Sequence, residues 1–419
     1  MKFGFIAAPV AGHMNPMIAL GRRLQSRGHE VVFFNILDVE ALVRKAGLGF
    51  VAYGEETHPL GSAPKDWAQI SSLHGLDVLR FTMARLVPPL CTAAFAELPS
   101  LLCRDGIEAV VVDIAFAFVE VVPMALDIPF VHIWNIMHSH PTGLLPSPFV
   151  PGTFDTTSEA QARNLAGMQF FAETVLPLIP MVSDFAKRFG LSIDWSVPEA
   201  TTSKLAVISQ TPRAFDFPVD DWPSHFHRTA PFIDEESRVS VPFPWEKLTG
   251  ERVIYASLGT LVNSHPTHYA AIVAGTAQMP DTQLVLSIGP NFHPEALGPV
   301  PDNAIIVRSA PQVALLRKAS LCVTHAGLNT VLESLVAGVP LVALPIGFEQ
   351  SGVSARIAHH GVGEFIAFED VTPDRVGETI RTVLEKSEYR ERAERLGDEI
   401  ASLNGPDMAA DIIERALAV

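Results

Sequence analysis

A short run of small and polar residues in the second half of the chain has the composition of an anion-binding turn. It extends from His325 to Glu333. The apolar residues 321–324 before it predict a buried strand, and residues 331–337 predict a helix that Gly338 ends. The first N–H groups of a helix have no partner within the helix and lie at the positive end of its dipole. This strand–turn–helix pattern therefore predicts a phosphate site.

The side chains of this run could complete such a site. His325 and Gly327 would lie in the turn, while Asn329 and Thr330 could cap the helix and donate to phosphate oxygens. Glu333 falls one helical turn after Asn329, where a carboxylate can accept hydrogen bonds from ribose hydroxyls. The pattern indicates a nucleoside diphosphate held by its phosphates and its ribose. A packing turn followed by an ordinary capped helix is the alternative that this segment alone leaves open.

The residues from Ser309 to Gln350 resemble the nucleotide-sugar signature of family 1 glycosyltransferases, the UDP-glycosyltransferases of plants and bacteria. The matching positions, in the family's order and spacing, are Ala310-Pro311-Gln312, His325-Ala326-Gly327, Asn329-Thr330, Leu332-Glu333-Ser334, Gly338-Val339-Pro340 and Glu349-Gln350. With Gly12-His13 near the N-terminus, the chain resembles the bacterial branch that includes zeaxanthin glucosyltransferases and macrolide glycosyltransferases. A match in several parts over about forty residues is far more specific than a single glycine motif.

Transfer of a sugar to a hydroxyl requires a base for the hydroxyl proton, a group that orients the base, and neutralisation of the leaving diphosphate. His13 is the candidate base, in a loop between the first predicted strand and a predicted helix start at Asn15-Pro16. Asp113, at the carboxyl end of another predicted strand, could accept from the far imidazole nitrogen and fix its tautomer. Either residue could instead cap the helix that follows it. The resemblance implies that the two form a catalytic dyad.

The resemblance also implies a second loop that contacts the diphosphate. Ser257, Gly259 and Thr260 follow a predicted strand, with the two hydroxyls as candidate donors, although an ordinary tight turn has the same composition. His325 would donate to the diphosphate as negative charge develops on it. No cluster of carboxylates and no Asp-x-Asp pair stands where a metal-bridged diphosphate would require one. We therefore expect metal-independent transfer, with the UDP-sugar as co-substrate and no cofactor.

The remaining donor contacts are expected at the sugar and at the base. Glu349 and Gln350 match the acidic–Gln pair that binds sugar hydroxyls in the family, unless they form a solvated loop. Gln312 and the backbone around Ala310 and Val313 would contact the uracil edge.

The sequence departs from the plant pattern where the uracil base is expected to bind. Ser309 replaces the Trp that stacks on uracil, a contact worth about 1 kcal/mol or more, and Arg308 could stack instead. The plant box also has Trp where Leu328 stands, and Trp before the sugar-binding pair, where Gly347 and Phe348 stand. The choice of UDP over TDP, and of glucose over other hexoses, therefore depends on the resemblance alone.

Composition excludes several classes of protein. The chain has 419 residues, 48% of them hydrophobic, with 30 Lys and Arg against 46 Asp and Glu and a net charge of −16 at pH 7. This length allows two domains with separate cores, and the acidic balance argues against a nucleic-acid surface. The three cysteines are too few for a disulfide framework or a metal knuckle, and they predict reduced thiols.

No targeting or membrane segment is expected. The apolar residues 2–9 run directly into a predicted helix without a cleavage context. Residues 109–126 are the most apolar later stretch, but they contain Asp113, Glu120 and Pro123 and make a poor membrane span. We therefore expect a cytoplasmic protein with no transmembrane segment.

Alternating apolar and helical segments predict the elements that would position the site. The predicted strands are residues 3–8, 30–35, 109–113, 130–133 and 205–210 in the first half, and 253–257, 284–288, 304–307, 321–323 and 341–344 in the second. Helical patterns lie between them, including 16–26, 114–125 and 313–317. This alternation predicts two α/β domains with right-handed, mostly parallel crossovers. The resemblance implies the GT-B fold, in which two Rossmann-like, doubly wound domains face each other across a cleft.

A shift in composition marks the predicted domain boundary. Residues 216–250 are rich in Pro, Asp, Ser and Trp and have weak periodicity. We expect an acceptor-binding domain at 1–218 and a nucleotide-sugar-binding domain at 219–400. The resemblance implies that the C-terminal helix, within 401–419, packs back on the first domain.

These features predict an inverting glycosyltransferase that moves a hexose, glucose by resemblance, from a UDP-sugar to a hydroxyl of a lipophilic acceptor. A phenol or flavonoid, a macrolide and a carotenoid all suit the Phe-, Leu- and Met-rich segments 76–98 and 168–185, which otherwise predict core helices. A nucleotide-sugar isomerase (epimerase) of the same architecture is one alternative and would need several carboxylates around the sugar. A non-catalytic nucleotide-sugar-binding protein is the other and would have lost His13 or Asp113.

Overall fold

The fold was taken from a computed structural model that describes residues 1–197, 199–250, 252–277, 279, 281–289 and 292–418. The described chain forms two α/β domains, each built on a parallel sheet with helices on both faces. The predicted fold class, with two doubly wound domains facing across a cleft, is confirmed.

The first sheet contains seven strands within the described residues: β1 (Lys2–Ile6), β2 (Glu30–Asn35), β3 (Gly49–Ala52), β4 (Ala109–Asp113), β5 (Phe130–Trp134), β6 (Val207–Ser209) and β7 (Phe226–Arg228). Their spatial order is β3-β2-β1-β4-β5-β6-β7, and neighbouring strands are parallel. The central strand β4 is fully buried and β1 is buried after Lys2, because helices cover both faces of the sheet.

The helices of this domain are α1 (Ala11–Ser26), α2 (Glu40–Lys45), α3 (Ser62–Ala68), α4 (Leu76–Phe81), α5 (Val87–Arg104), α6 (Val121–Ala125), α7 (Ser158–Val175) and α8 (Ile179–Arg188). One face of the sheet packs on the apolar stripe of α1, which includes Met14, Met17 and Leu20. The other face packs on α5, α6 and α8. A π-helical turn at Thr82–Leu86 joins α4 to α5.

The second sheet contains β8 (Arg252–Ser257), β9 (Thr282–Ser287), β10 (Ala304–Val307), β11 (Ala319–Thr324), β12 (Leu341–Ala343) and β13 (Gly363–Phe365). Its order is β10-β9-β8-β11-β12-β13, again with parallel neighbours. The helices that follow the first sheet are α9 (Pro266–Ala277), α10 (Gln312–Leu316), α11 (Leu328–Val336), α12 (Gln350–His360), α13 (Pro373–Glu385), α14 (Ser387–Ala401) and α15 (Gly405–Ala416).

The two sheets reverse their strand order at equivalent points, between β1 and β4 in the first and between β8 and β11 in the second. Loops at the carboxyl ends of strands on either side of such a point diverge and leave a crevice, which is where open α/β sheets bind ligands. His13 and Asp113 lie at the ends of β1 and β4, and Ser257 and His325 lie at the ends of β8 and β11, so these candidate residues fall at the two crevices.

The C-terminal helix α15 lies on the first domain. Ala409, Ala410 and Ile413 join the apolar core beneath α1. At the rim of this contact, Arg23 on α1 and Arg27 just after it form ion pairs with Asp407, that of Arg27 at 2.6 Å.

The structure differs from the sequence-based prediction in the second half of the first domain. Residues 205–210 do not form the last strand of this sheet, because β7 follows and lies beyond residue 218, the predicted end of the domain. The short, half-buried sequence of β7 has no apolar run that would reveal it. The helix predicted at 114–125 is reduced to α6, since turns occupy residues 114–120 and Phe118 has a left-handed φ of 66°.

Two helical stretches in the described parts of the chain, Leu76–Arg104 and Ser158–Arg188, are long and apolar enough to cross a membrane by length and composition alone. The most apolar window of the first is 50% buried, as in a core helix, and that of the second is 17% buried. The stretch weighed from the sequence, 109–126, forms β4, turns and α6 instead. The expectation of a chain without a membrane span stays a prediction.

Candidate active site

The switch point of the first sheet brings His13 and Asp113 together. Since β1 and β4 are neighbours, the turn after β1 meets the end of β4. Nδ1 of His13 lies 2.8 Å from Oδ2 of Asp113. The sequence placed His13 in a loop, but it lies in the first turn of α1, because the helix begins at Ala11, well before Asn15-Pro16.

Asp113 is fully buried, and both of its carboxylate oxygens accept hydrogen bonds. Oδ2 accepts from the backbone N–H of Ala8 at 3.1 Å as well as from His13, and Oδ1 accepts from the N–H of Ala115 at 3.2 Å. Asp113 therefore closes the turn that follows β4 and orients the imidazole at the same time. Because the carboxylate oxygen accepts this hydrogen bond, Nδ1 of His13 carries a proton, and in the neutral ring Nε2 presents its lone pair.

The charge of the His13 ring depends on opposing influences. Burial disfavours the imidazolium and is the largest single influence on the pKa of His13. The nearby Asp113 charge, the hydrogen bond to Asp113 and the Glu349 charge favour it, and together they raise the pKa of His13 above its ordinary value of 6.5. His13 is thus a stronger base than a free imidazole, and it senses a carboxylate on the opposite domain.

The predicted phosphate turn lies at the switch point of the second sheet, after β11. Ala326 has a left-handed φ of 64°, a conformation that L-residues adopt at a cost and that is frequent at functional sites. Gly327 is the residue before α11, which begins at Leu328. Within the described chain no side chain caps this helix, so the capping role expected for Asn329 and Thr330 is wrong, and the first N–H groups of α11 stay available.

His325 is held in a slot between two glycines. A Cβ built on Gly259 or on Gly327 would lie 2.6 or 2.5 Å from Nε2 of His325, so neither position accepts a larger residue without moving the ring. Burial lowers the pKa of His325 to about 4, against a smaller opposite effect of the Ser257 backbone. Nδ1 is buried and, among the described residues, has no hydrogen-bond partner. His325 is therefore a neutral ring with unused hydrogen-bonding capacity.

Asn329 connects its own helix, α11, to α1, the helix that carries His13. Its Nδ2 donates to the carbonyl of Gly12 at 2.6 Å, and its Oδ1 accepts from Nε2 of Gln210 at 2.8 Å. The Gly12 carbonyl is free for this bond because Pro16, four residues later in α1, has no N–H to occupy it. The two candidate half-sites therefore meet directly across the cleft.

A cavity of about 380 Å³ opens at the carboxyl ends of β8, β9 and β10. This volume lies within the range of small-molecule sites. Its lining contains the predicted donor residues Ser257, Gly259, Thr260, Ala310 and Gln312, together with Arg308 and Ser309 at the position of the missing Trp. Sequence reasoning missed three further lining residues, Tyr255, Ser287 and Gly289. Tyr255 and Ser287 belong to buried strands, so the sequence around them did not indicate that their polar atoms would line a cavity.

The floor of this cavity is a chain of hydrogen bonds. Tyr255 donates from its hydroxyl to Oε1 of Gln312 at 3.1 Å, and Nε2 of Gln312 donates to Oε2 of Glu333 at 2.7 Å and to the Thr330 hydroxyl at 3.3 Å. The other Glu333 oxygen accepts from Arg238. Gln312, Thr330 and Glu333, expected separately at the uracil, the phosphate and the ribose, thus contact one another, and their roles at the donor stay predictions. Arg238 was missed, because it lies in the linker, where the pattern is weakest.

Glu349 and Gln350 lie where α12 begins, on the rim of the cleft. Gln350 is buried, and its Oε1 accepts from the N–H groups of Ile346 and Gly347 at 2.7 and 2.9 Å, which fixes the preceding turn. Glu349 is half-buried, and burial raises its pKa, against its own backbone N–H and the His13 charge. The pair is therefore positioned next to the dyad, and its sugar-binding role stays a prediction.

No group of three or more His, Cys, Asp or Glu side chains that could hold a metal ion occurs within the residues the structure describes.

Comparisons with known proteins agree with this arrangement. Residues 237–400 match the family described as UDP-glucoronosyl and UDP-glucosyl transferase. The chain is 27% identical to a zeaxanthin glucosyltransferase of Pantoea ananas, over 99% of this chain and 96% of that protein. It is 26% identical to a demethyllactenocin mycarosyltransferase of Streptomyces fradiae, over 99% and 86%. The structure of the glycosyltransferase VinC in complex with dTDP has a TM-score of 0.72 at 19% identity, with 100% of both chains covered.

Proposed function

We propose that this chain, whose residues 237–400 match the UDP-glycosyltransferase family, is an inverting, metal-independent transferase that moves glucose from UDP-glucose to a hydroxyl of a lipophilic small molecule. Transfer of a sugar from a nucleotide-sugar donor to a small-molecule acceptor is the family's activity. The donor, the stereochemistry and the acceptor class are the proposal. The observation that carries it is the His13–Asp113 pair, whose carboxylate is fully buried and which faces the phosphate turn of the second domain across the cleft.

The dyad supplies the base for the acceptor. Asp113 holds the Nδ1 proton of His13, so that Nε2 can take the proton of the acceptor hydroxyl as its oxygen attacks the anomeric carbon. The positive charge that forms on the ring is stabilised by Asp113 and Glu349, the same two charges that raise the pKa of His13. Attack by the acceptor itself, on the face opposite the diphosphate, forms one C–O bond while the bond to the leaving group breaks, and inverts the anomeric centre.

The second domain stabilises the leaving group. The bond that breaks leaves an extra negative charge on the diphosphate, and the N-terminal N–H groups of α11 with their dipole favour an anion there. His325 is neutral and can donate one hydrogen bond to the same oxygens. Fixed donors of this kind can replace a metal, because they are already oriented when the charge develops.

The proposed acceptor is lipophilic, and the proposed donor is UDP-glucose rather than a TDP-sugar. The relatives named for zeaxanthin and demethyllactenocin support an apolar acceptor, as do the apolar side chains of α7 and α8, among them Phe170, Phe171 and Phe185. Arg308 and Ser309 line the base cavity in place of the plant Trp, so a TDP-sugar, as suggested by the dTDP complex of VinC, is the alternative donor. We also propose a cytoplasmic location.

The experiment that tests this function is product formation followed by mass spectrometry. The protein meets UDP-glucose and TDP-glucose separately, each with phenolic, macrolide and carotenoid acceptors and with EDTA. We expect an acceptor product heavier by one hexose from UDP-glucose, with a β-linkage by NMR from the α-linked donor. An altered sugar nucleotide without acceptor product would identify an isomerase, and a product only without EDTA would refute the metal-independent mechanism.

A further inference from the structure

Arg238 lies against the ribose-side carboxylate of the donor site, although nothing in its sequence context indicates a role there. One Glu333 oxygen, Oε1, accepts from Nη2 of Arg238, and the other, Oε2, accepts from Nε2 of Gln312 at 2.7 Å. The Glu333 side chain is 2% exposed and that of Arg238 is 23% exposed. The guanidinium therefore covers the carboxylate from the linker side and separates it from water.

The charge of Glu333 presents a problem for a nucleotide site. A buried carboxylate needs a counter-charge, and Gln312 supplies only a neutral hydrogen bond. Glu333 also lies one turn after Asn329, close to the end of α11 where the diphosphate is expected. An unbalanced carboxylate at this distance would repel the anionic ligand that the helix end attracts. Among the ion pairs of the described residues, Arg238 is the partner of Glu333.

We propose that Arg238 is a positioning residue for the nucleoside diphosphate: it neutralises Glu333 and fixes its carboxylate, so that Glu333 can accept from the ribose without repelling the diphosphate. This inference rests on the proposed function. Each Glu333 oxygen uses one of its two lone-pair sites on Arg238 or Gln312 and keeps one for a ribose hydroxyl. Nε of Arg238 is buried and has no hydrogen-bond partner within the described chain. The Nε–H donor of the guanidinium is therefore unused within the described chain.

A double-mutant cycle separates this charge effect from simple damage to the linker. UDP binding is measured by calorimetry for the wild type and for R238Q, E333Q and R238Q/E333Q. We expect R238Q to weaken UDP binding about tenfold or more, because the Glu333 charge then faces the diphosphate without its partner. In the E333Q background the same change should cost less than about threefold, since no charge is left to neutralise.

R317Q is the matched control. Arg317 pairs with Glu235 in the same linker region, but both side chains are exposed, at 61% and 45%. We expect R317Q to bind UDP as the wild type does, because exposed ion pairs contribute little. Equal losses from the R238Q change in the two backgrounds, or wild-type affinity in R238Q, would overturn the inference. Failure of the wild type itself to bind UDP would refute the proposed donor instead.

Discussion

The two faces of the cleft are built on different principles. On the donor face, side chains are fixed by hydrogen bonds and by backbone geometry, as in the bonds among Tyr255, Gln312 and Glu333 or the slot that holds His325. In the first domain, which we call the acceptor face from its proposed role, shape comes from apolar packing, as in the parallel stack of Phe149 and Phe171 at 4.7 Å. The first face suits a ligand with a fixed pattern of phosphates and hydroxyls. The second suits ligands that share only apolar character.

The proposed catalytic base, His13, interacts with both domains. His13 is carried by the acceptor domain, but its ring feels the charge of Glu349, and the carbonyl before it accepts from Asn329 of the donor domain. The polar contacts of the donor face thus extend across the cleft to the residue that we propose as the base for the acceptor. A change in the dyad should therefore affect turnover, while changes confined to one face should affect the binding of one substrate.

The largest effect is expected from H13A. Loss of the base should lower turnover about 10³-fold, within the range for general base catalysis. UDP binding by calorimetry should stay near the wild-type value, since His13 has no expected contact with the nucleotide. An equal loss of UDP affinity would show that His13 serves mainly to hold the first turn of α1, and the contrast between dyad and donor face would fail.

D113N should have the next largest effect, about 10²-fold on turnover, because an amide can donate to the ring and favour the wrong tautomer. The pH profile tests the cause. The raised pKa of His13 predicts that kcat/KM rises with pH through a value above 6.5, as the ring loses its proton. In D113N this acid limb should move to lower pH. A limb at an unchanged pH would assign the titration to another group.

The contribution of the His13–Asp113 pair to the stability of the fold has the opposite dependence on pH. A group whose pKa is raised in the folded state binds its proton more tightly there. The His13–Asp113 pair therefore contributes its full stabilisation below pH 6.5 and loses it as the pH rises through the raised pKa of His13. Urea unfolding of the wild type and D113N should accordingly differ more at pH 6 than at pH 9.

The pairing of His13 with Asp113 was predictable because both residues follow strands, and the reversal of strand order forces those strand ends together. The bond between Asn329 and Gly12 was not, since it depends on where α1 begins. Pro16 suggested a helix start, yet the helix begins five residues earlier and Pro16 leaves a carbonyl free inside it. The role of Arg238 could not be predicted either, because an ion pair between residues 95 positions apart leaves no local pattern in the sequence.

A moderate effect is expected from G327A, which tests the donor face alone. The new Cβ would meet Nε2 of His325 at 2.5 Å, so the ring must move, and UDP-sugar KM should rise about tenfold. Acceptor KM should change little. In an H325A background the same substitution should have almost no further effect. G152A is the matched control, since its Cβ would find only ordinary contacts of 3.6 Å or more.

The smallest effect is expected from F171L, on the acceptor face. Phe149 and Phe171 pack against an apolar cluster that Phe348, the residue before Glu349, also contacts. Removal of one stacked ring should raise KM about threefold for a bulky acceptor, through lost apolar contact, and leave UDP-sugar KM unchanged. F189L, at an exposed ring beyond α8, should change neither constant. An apolar surface tolerates the exchange of groups of similar size, so F171L should change which acceptors bind best and not abolish binding. We would not expect such a change in ranking from a surface that binds its ligand through fixed hydrogen bonds. A loss of donor affinity in F171L would show that the two faces are not independent.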